Sequence, residues 1–212
     1  MAKQAIAGTM KSRNPIVALL PYYSIHNVLE VGCDEAGRGC LVGPVVAAAV
    51  ILPKEINLPL LNDSKKLTPS QRQILRLEIE KVAIAYSVAY IQPATIDTIN
   101  ILQASILAMH NAIEQLSIVP DFIVVDGNKF NPYRTIPHAC IVKGDGKYNS
   151  IAAASILAKT YRDAYMQELH QLHPYYHWNT NKGYPTAAHR KAIGIHGVSP
   201  YQRTSFTFEI PN

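Results

Sequence analysis

Cysteine is scarce in this chain and follows no pattern. Cys33, Cys40 and Cys140 form no C-x-x-C pair, so the spacing of a zinc or redox centre is lacking. An odd, sparse count also argues against a disulfide framework and fits a reducing compartment. No run reaches the roughly 18 apolar residues that span a bilayer. The longest candidate, Leu41 to Leu52, is interrupted by Gly43 and Pro44. Met1 to Asn14 is mildly basic, without the apolar core and small-residue cleavage site of a secretion signal. There is no G-x-x-x-x-G-K-[ST] phosphate loop, no serine-centred nucleophile elbow, no repeat and no low-complexity tract. The histidines are scattered. His189 and His196, seven apart, are able to share a helix face, but no Cys or His cluster suggests zinc. The expectation is a soluble cytoplasmic protein without a membrane partner.

The chain does have a core. Its 212 residues, 48% of them hydrophobic, suit one globular domain. A net charge of +5 is compatible with a polyanionic partner but does not demand one. Residues 1–26 read as an extension, poorly ordered, ahead of a domain over 27–212 with a C-terminal helical segment. Nothing requires an oligomer, and a monomer is expected.

Val28 to Asp34 reads as a strand, and Val45 to Leu52 as a strand buried on both faces. Thr68-Pro69-Ser70-Gln71 is a capping box with proline in the first turn, so a helix follows to about Val82. Ala83 to Ile91, Phe122 to Val125 and Ala139 to Val142 read as further strands. Helices are predicted from Pro93 to about Leu116, from Tyr148 to Leu172, and from Thr186 to Ile195. Strands first, then strands alternating with helices, indicate a mixed α/β sheet flanked by helices.

The acids are placed where chemistry gathers. Asp34 and Glu35 close the first apolar run and are followed by Gly37-Arg38-Gly39. Neighbouring strand residues point to opposite faces, so the two acids share a site only where the strand ends or bulges. Asp126 ends a second run and Asp145 lies in a third turn, Lys143-Gly144-Asp145-Gly146. One Asp-Gly is an ordinary turn. Three converging on strand ends, each with a Lys or Arg nearby, point to a divalent metal and a phosphodiester. Crowded carboxylates repel without a cation, so such a site is metal-dependent.

Lys and Arg beside the acids have two available jobs, to neutralise them or to hold phosphates. Ser155, Lys159 and Arg162 share one helix face, which is either a substrate surface or a solvated face with a Lys159–Asp163 pair. Lys65 and Lys66 lie in a polar loop. Tyr184, between Gly183 and Pro185, is either a packed ring or a stacking platform. Packing is the better reading of Tyr175, Tyr176 and Trp178. A non-catalytic nucleic-acid-binding module and a DNA nuclease on the same fold remain as alternatives.

Taken in order, Asp34-Glu35-Ala36-Gly37-Arg38-Gly39, Asp63-Ser64-Lys65-Lys66-Leu67, Val125-Asp126-Gly127-Asn128, Lys143-Gly144-Asp145, Ser150 to Lys159 and Gly183-Tyr184-Pro185-Thr186 resemble the motifs of bacterial type 2 ribonuclease H, ribonuclease HII. The resemblance covers residues 28 to 200. It implies a ribonuclease H-like α/β fold and an endonuclease with Mn²⁺ or Mg²⁺, two ions per site. It implies cleavage of the RNA strand of RNA–DNA hybrids and nicking at single ribonucleotides in duplex DNA, leaving 5′-phosphate and 3′-hydroxyl ends. It assigns Asp34, Glu35, Asp126 and Asp145 to metal binding and catalysis, Gly37-Arg38-Gly39 to sensing the ribose 2′-hydroxyl, and Tyr184 to stacking at the RNA–DNA junction. Lys65, Ser155 and Lys159 are carried as substrate-binding residues. Nothing resembles the N-terminal substrate-binding domain of type 3 enzymes.

Overall fold

Val45–Ile51, sequence VVAAAVI, forms strand β2, and all of its residues are buried. Its period-two alternation separates two cores. Val45, Ala47, Ala49 and Ile51 face helix α2 (Pro93–Glu114), against Ala104, Ala108 and Ala112. Ala48 and Val50 face helices α1 (Pro69–Val82) and α3 (Asn149–Leu172). The result, in a computed structural model that describes residues 19–24 and 28–209, is one five-stranded sheet between two helical layers.

The other strands are β1 (Glu30–Ala36), β3 (Ala85–Ile91), β4 (Phe122–Asp126) and β5 (His138–Ile141), in the order β3-β2-β1-β4-β5. β1, β2 and β3 pair antiparallel, while β4 and β5 run parallel to β1. The sequence boundaries hold to within about two residues. At Thr68 the capping box forms as expected: the hydroxyl accepts from the Gln71 amide at 3.2 Å, and the Gln71 side chain accepts from the Thr68 amide at 2.8 Å.

Small residues let α3 lie close on the sheet. A Cβ on Gly32 of β1 would fall 2.2 Å from the Ser150 carbonyl carbon. Near its start, α2 departs from the single helix expected. Asn100 has φ 65° and ψ 165°, and its side chain accepts from the Leu102 and Gln103 amides, capping a second helical segment. The C-terminal part adds α4 (Trp178–Asn181), which the aromatic loop did not foretell, and α5 (Ala187–His196). Trp178 and Tyr176 pack with Met166 and Leu169 of α3, as packing residues should.

Most of the expected extension over 1–26 lies outside the described residues. Its end is tied down: the Leu20 amide donates to Lys147 O at 2.7 Å, and Tyr23 and Ser24 amides donate to the Glu30 carboxylate. The tail is tied to α2 by Asp97, whose carboxylate accepts from the amides and hydroxyls of Thr204 and Ser205. Among the described residues no helix is long and apolar enough to cross a membrane.

Two outcomes are expected. Gly32→Ala forces α3 off β1 and costs about 3 kcal/mol or more in chemical denaturation, against under 1 for an exposed Gly39→Ala. The bonds to Asp97 hold its carboxyl down at about 2 despite the cost of burial. Its contribution is therefore complete above the ordinary carboxylate range and lost as pH falls from about 4 toward 2. Thermal melts should show a wild-type advantage over Asp97→Asn at pH 6 that vanishes near pH 2.

Candidate active site

The parallel register of β1 with β4 ends at Cys33↔Val125, whereas its pairing with β2 runs on to Ala36↔Val46. Continuing that register, Asp34 comes level with Asp126, the last residue of β4, and Glu35 lies beyond it. Asp145 arrives from the 3-10 turn Gly144–Gly146 that follows β5. Asp126 fastens that turn, its Oδ1 accepting from the Gly144 amide at 2.7 Å. One carboxylate oxygen from each of Asp34, Asp126 and Asp145 lies within 4.8 Å of the others.

Glu35 is not part of that trio. β1 continues through both acids without a bulge, so strand alternation turns Glu35 away from Asp34. It pairs instead with Arg38 at 3.1 Å. Glu35 and Asp126 border two hollows. One, of about 270 Å³, is lined also by Asp34, Gly37, Ser155 and Tyr184; the other, of about 160 Å³, by Met109, Asn128 and Lys129.

The electrostatics are those of acids short of cations. Burial lifts the Asp34 carboxyl well above its usual range, and Glu35 and Asp126 add to this, while the Ser155 hydroxyl pulls it back. Burial also raises Asp145, with Asp126 and Asp63 adding and Lys65 opposing. For Glu35, burial outweighs the opposing Arg38. Buried Asp145 Oδ2 receives no hydrogen bond, and its ion-pair partner, Lys65 Nζ, stands off at 3.5 Å on an 81% exposed side chain. A hard, oxygen-seeking cation such as Mg²⁺ or Mn²⁺ suits this all-carboxylate donor set and would relieve its repulsion.

Beside the acids, Gly37 has φ +95°, and a Cβ there would meet the Arg162 side chain at 2.0 Å. Gly39 is different: a Cβ would meet nothing, so its backbone is open to an approaching ligand. Of the three residues expected on one face of α3, Ser155 is buried and Lys159 only part-exposed, and Arg162 is not solvated either. It is 1% exposed and donates to the carbonyls of Pro44, Val42 and Lys182 at 2.8–3.0 Å. Its place one turn beyond the buried Ala158 was the overlooked signal. Arg203, also missed, is fully buried and donates to Gly43 O and Arg38 O. Together they clamp the loop after β1.

Lys159 makes the Asp163 pair at 2.6 Å, and its ammonium lies 5.8 Å from the Tyr184 ring centroid. The Ser155 hydroxyl meets that of Ser64 at 3.0 Å. Arg72, which sequence reasoning passed over, donates to Ser64 O and Leu67 O and shapes the loop that carries Lys65. Tyr184, 39% exposed, lines the same hollow as Asp34.

Comparison with known proteins accords with this arrangement. The profile of the Ribonuclease HII family matches residues 31–208. The chain is 61% identical over 188 residues to Ribonuclease HII of Bacteroides thetaiotaomicron, covering 89% of this chain and 94% of that one. It is 59% identical to Ribonuclease HII of Phocaeicola vulgatus over 89% and 93% of the two chains. Among solved structures, the ribonuclease H2 of Pyrococcus horikoshii superposes with TM-score 0.68 at 28% identity, covering 84% and 93%. A mixed sheet presenting clustered acids at the end of β1 and a match over most of its length place this chain in the ribonuclease HII family, endoribonucleases that hydrolyse RNA in RNA–DNA hybrids.

Proposed function

We propose that this enzyme also nicks duplex DNA on the 5′ side of a single embedded ribonucleotide, leaving 5′-phosphate and 3′-hydroxyl ends, and so serves removal of misincorporated ribonucleotides in the cytoplasm, as a monomer. The observation that carries the reading is that Asp34 and Asp126 of the acid trio, the open backbone at Gly39 and the half-exposed Tyr184 ring border one hollow. A ribose 2′-hydroxyl, the group that tells RNA from DNA, is both donor and acceptor and suits bare backbone.

Asp34, Asp126 and Asp145 are the residues to hold divalent cations, Mg²⁺ or Mn²⁺, with Glu35 completing the set. Two such ions bound there supply Lewis acidity to the phosphodiester and ease deprotonation of an attacking water. The chain's own groups do the rest. Arg38 holds Glu35 at 3.1 Å, while its carbonyl is fixed by Arg203 at 3.0 Å. The Gly37-Arg38-Gly39 backbone is thereby set in one conformation before substrate arrives, which limits the entropy lost on binding. Lys65 and Lys159, which line the hollow, offer charge to the flanking phosphates, and Ser155 offers a hydroxyl. Tyr184 presents its ring to the base or sugar at the junction.

A labelled DNA duplex carrying one ribonucleotide tests the reading. Metal-dependent nicking 5′ of the ribonucleotide is expected, and Asp126→Asn should reduce it by about 100-fold or more. Cutting of long hybrids alone would overturn the embedded-ribonucleotide reading. A second expectation needs no turnover. Divalent cation at about 100 times its dissociation constant stabilises a single-site protein by about 2.7 kcal/mol. Thermal melts with Mn²⁺ should show a gain that Asp126→Asn loses; an equal gain in both would remove Asp126 from the metal site.

A further inference from the structure

Tyr184 is held by its backbone, and His189 is central to how. The His189 ring is fully buried in α5. Trp178 Nε1 lies 3.0 Å from His189 Nε2, and His189 Nδ1 lies 2.9 Å from the Tyr184 carbonyl oxygen. These two contacts leave one protonation state. An indole N–H only donates, so Nε2 must accept and carries no proton. A carbonyl only accepts, so Nδ1 must carry the proton. The ring is then neutral, and burial, which pushes its pKa below the usual histidine value, agrees. A protonated ring would set its Nε2–H against the indole N–H.

The same carbonyl also accepts from the Thr186 amide at 2.8 Å, and the Tyr184 amide donates to Asn181 O at 2.9 Å. Thr186 in turn caps α5 by accepting from the His189 amide at 3.2 Å. The preceding residue is tied to the loop after β1, the Leu41 amide donating to Gly183 O at 2.8 Å. The Tyr184 backbone is thus held by fixed hydrogen bonds, while its part-exposed ring lies beside Lys159 and Arg162.

We infer that His189, as the neutral Nδ1–H tautomer enforced by Trp178, is a positioning residue that sets the Tyr184 ring for substrate selection. The inference rests on Tyr184 facing the RNA–DNA junction, as proposed above. His189 touches no reacting atom; it acts through the Tyr184 carbonyl. Trp178 has a matching part in this arrangement, since by occupying Nε2 it leaves Nδ1 as the one nitrogen able to bear the proton.

Two substitutions separate donor from bulk. Asparagine carries an amide N–H near the Nδ1 position and can still donate to Tyr184 O. Glutamine reaches Trp178 but loses that donor. The quantity to measure is the ratio of kcat/KM on duplex DNA with one ribonucleotide to that on a long RNA–DNA hybrid. His189→Gln is expected to lower this ratio about tenfold, as Tyr184→Ala should, and His189→Asn to hold it within about twofold. Equal ratios in the two His189 variants would overturn the inference, because lost packing alone does not distinguish them. The ¹⁵N spectrum of wild-type His189 near pH 7 should show protonated Nδ1 and bare Nε2; a cation or the opposite tautomer also overturns it. An unchanged ratio in Tyr184→Ala would instead refute the junction reading. The decision on His189 then falls to Tyr184 ring resonances, which broaden in His189→Gln alone if it positions the ring and in neither or both variants if it does not.

Discussion

Mutual repulsion among Asp34, Asp126 and Asp145 is the constraint around which this fold is organised. Their nearest oxygens lie within 4.8 Å of one another, and two of the three residues are buried. Like charges this close, removed from bulk water, push carboxyl groups toward the neutral form, which is the direction taken by Asp34 and Asp145. A chain would not hold them there unless each came from an element that cannot yield. β1 is central, paired on both sides up to Cys33. β4 is short and sandwiched, and the turn bearing Asp145 is fastened to Asp126 itself. The sheet supplies rigidity, and the destabilisation is what makes the cluster receptive to a cation.

The second constraint is the path of the chain after β1. That segment leaves the sheet and keeps one β-bridge, Val42 with Gln202, backed by the Gly43 amide donating to Tyr201 O and the Arg203 amide donating to Leu41 O. Two arginines add to these few backbone bonds. Arg162 from α3 and Arg203 from the C-terminal segment spend their donors on main-chain carbonyls from Arg38 to Pro44 and at Lys182. Burying a guanidinium is costly, and burial pushes Arg203 down to about 10. The planar fork answers several carbonyls at once, which an ammonium could not do. Arg38, by contrast, keeps its side chain half exposed beside Glu35. Arginine therefore has a structural use in the core and a site-facing use at the rim, on one short loop.

These differences mark what sequence could and could not disclose. The strands, the long helices and the capping box at Thr68 were legible because each is encoded locally, by period, proline or cap. The convergence of Asp34, Asp126 and Asp145 was legible because each acid follows an apolar run. Glu35 was placed with them on an expected break in the strand; no break occurs, and Glu35 pairs with Arg38 while still bordering the hollow that Asp34 lines. Arg162 looked like a surface residue because helical spacing alone does not say which stripe of α3 faces the protein. Gly32 gave no sign at all, since its requirement is the backbone of α3, more than a hundred residues away. What stayed hidden were contacts between segments distant in sequence.

The C-terminal part shows how such contacts divide labour between rigidity and recognition. Its aromatic loop contributes little to the sheet, yet Trp178 is fully buried and stacks on Tyr176 at 4.8 Å. This small core, closed by Leu41, Met166 and Ile193, lets α5 bear on the Gly183-Tyr184 turn from behind. A turn carrying a half-exposed ring would otherwise sample several orientations, and holding it in one has an entropic cost. Bonds from Asn181, Thr186 and His189 settle that cost during folding. The loop after β1 is fixed on the opposite wall by Arg162 and Arg203, and Leu41 joins the two walls through Gly183. Geometry at the hollow is thus set by the union of two cores, one beneath the acids and one beneath Tyr184. A change in either reaches the other through the Leu41–Gly183 bond and the Arg162 clamp.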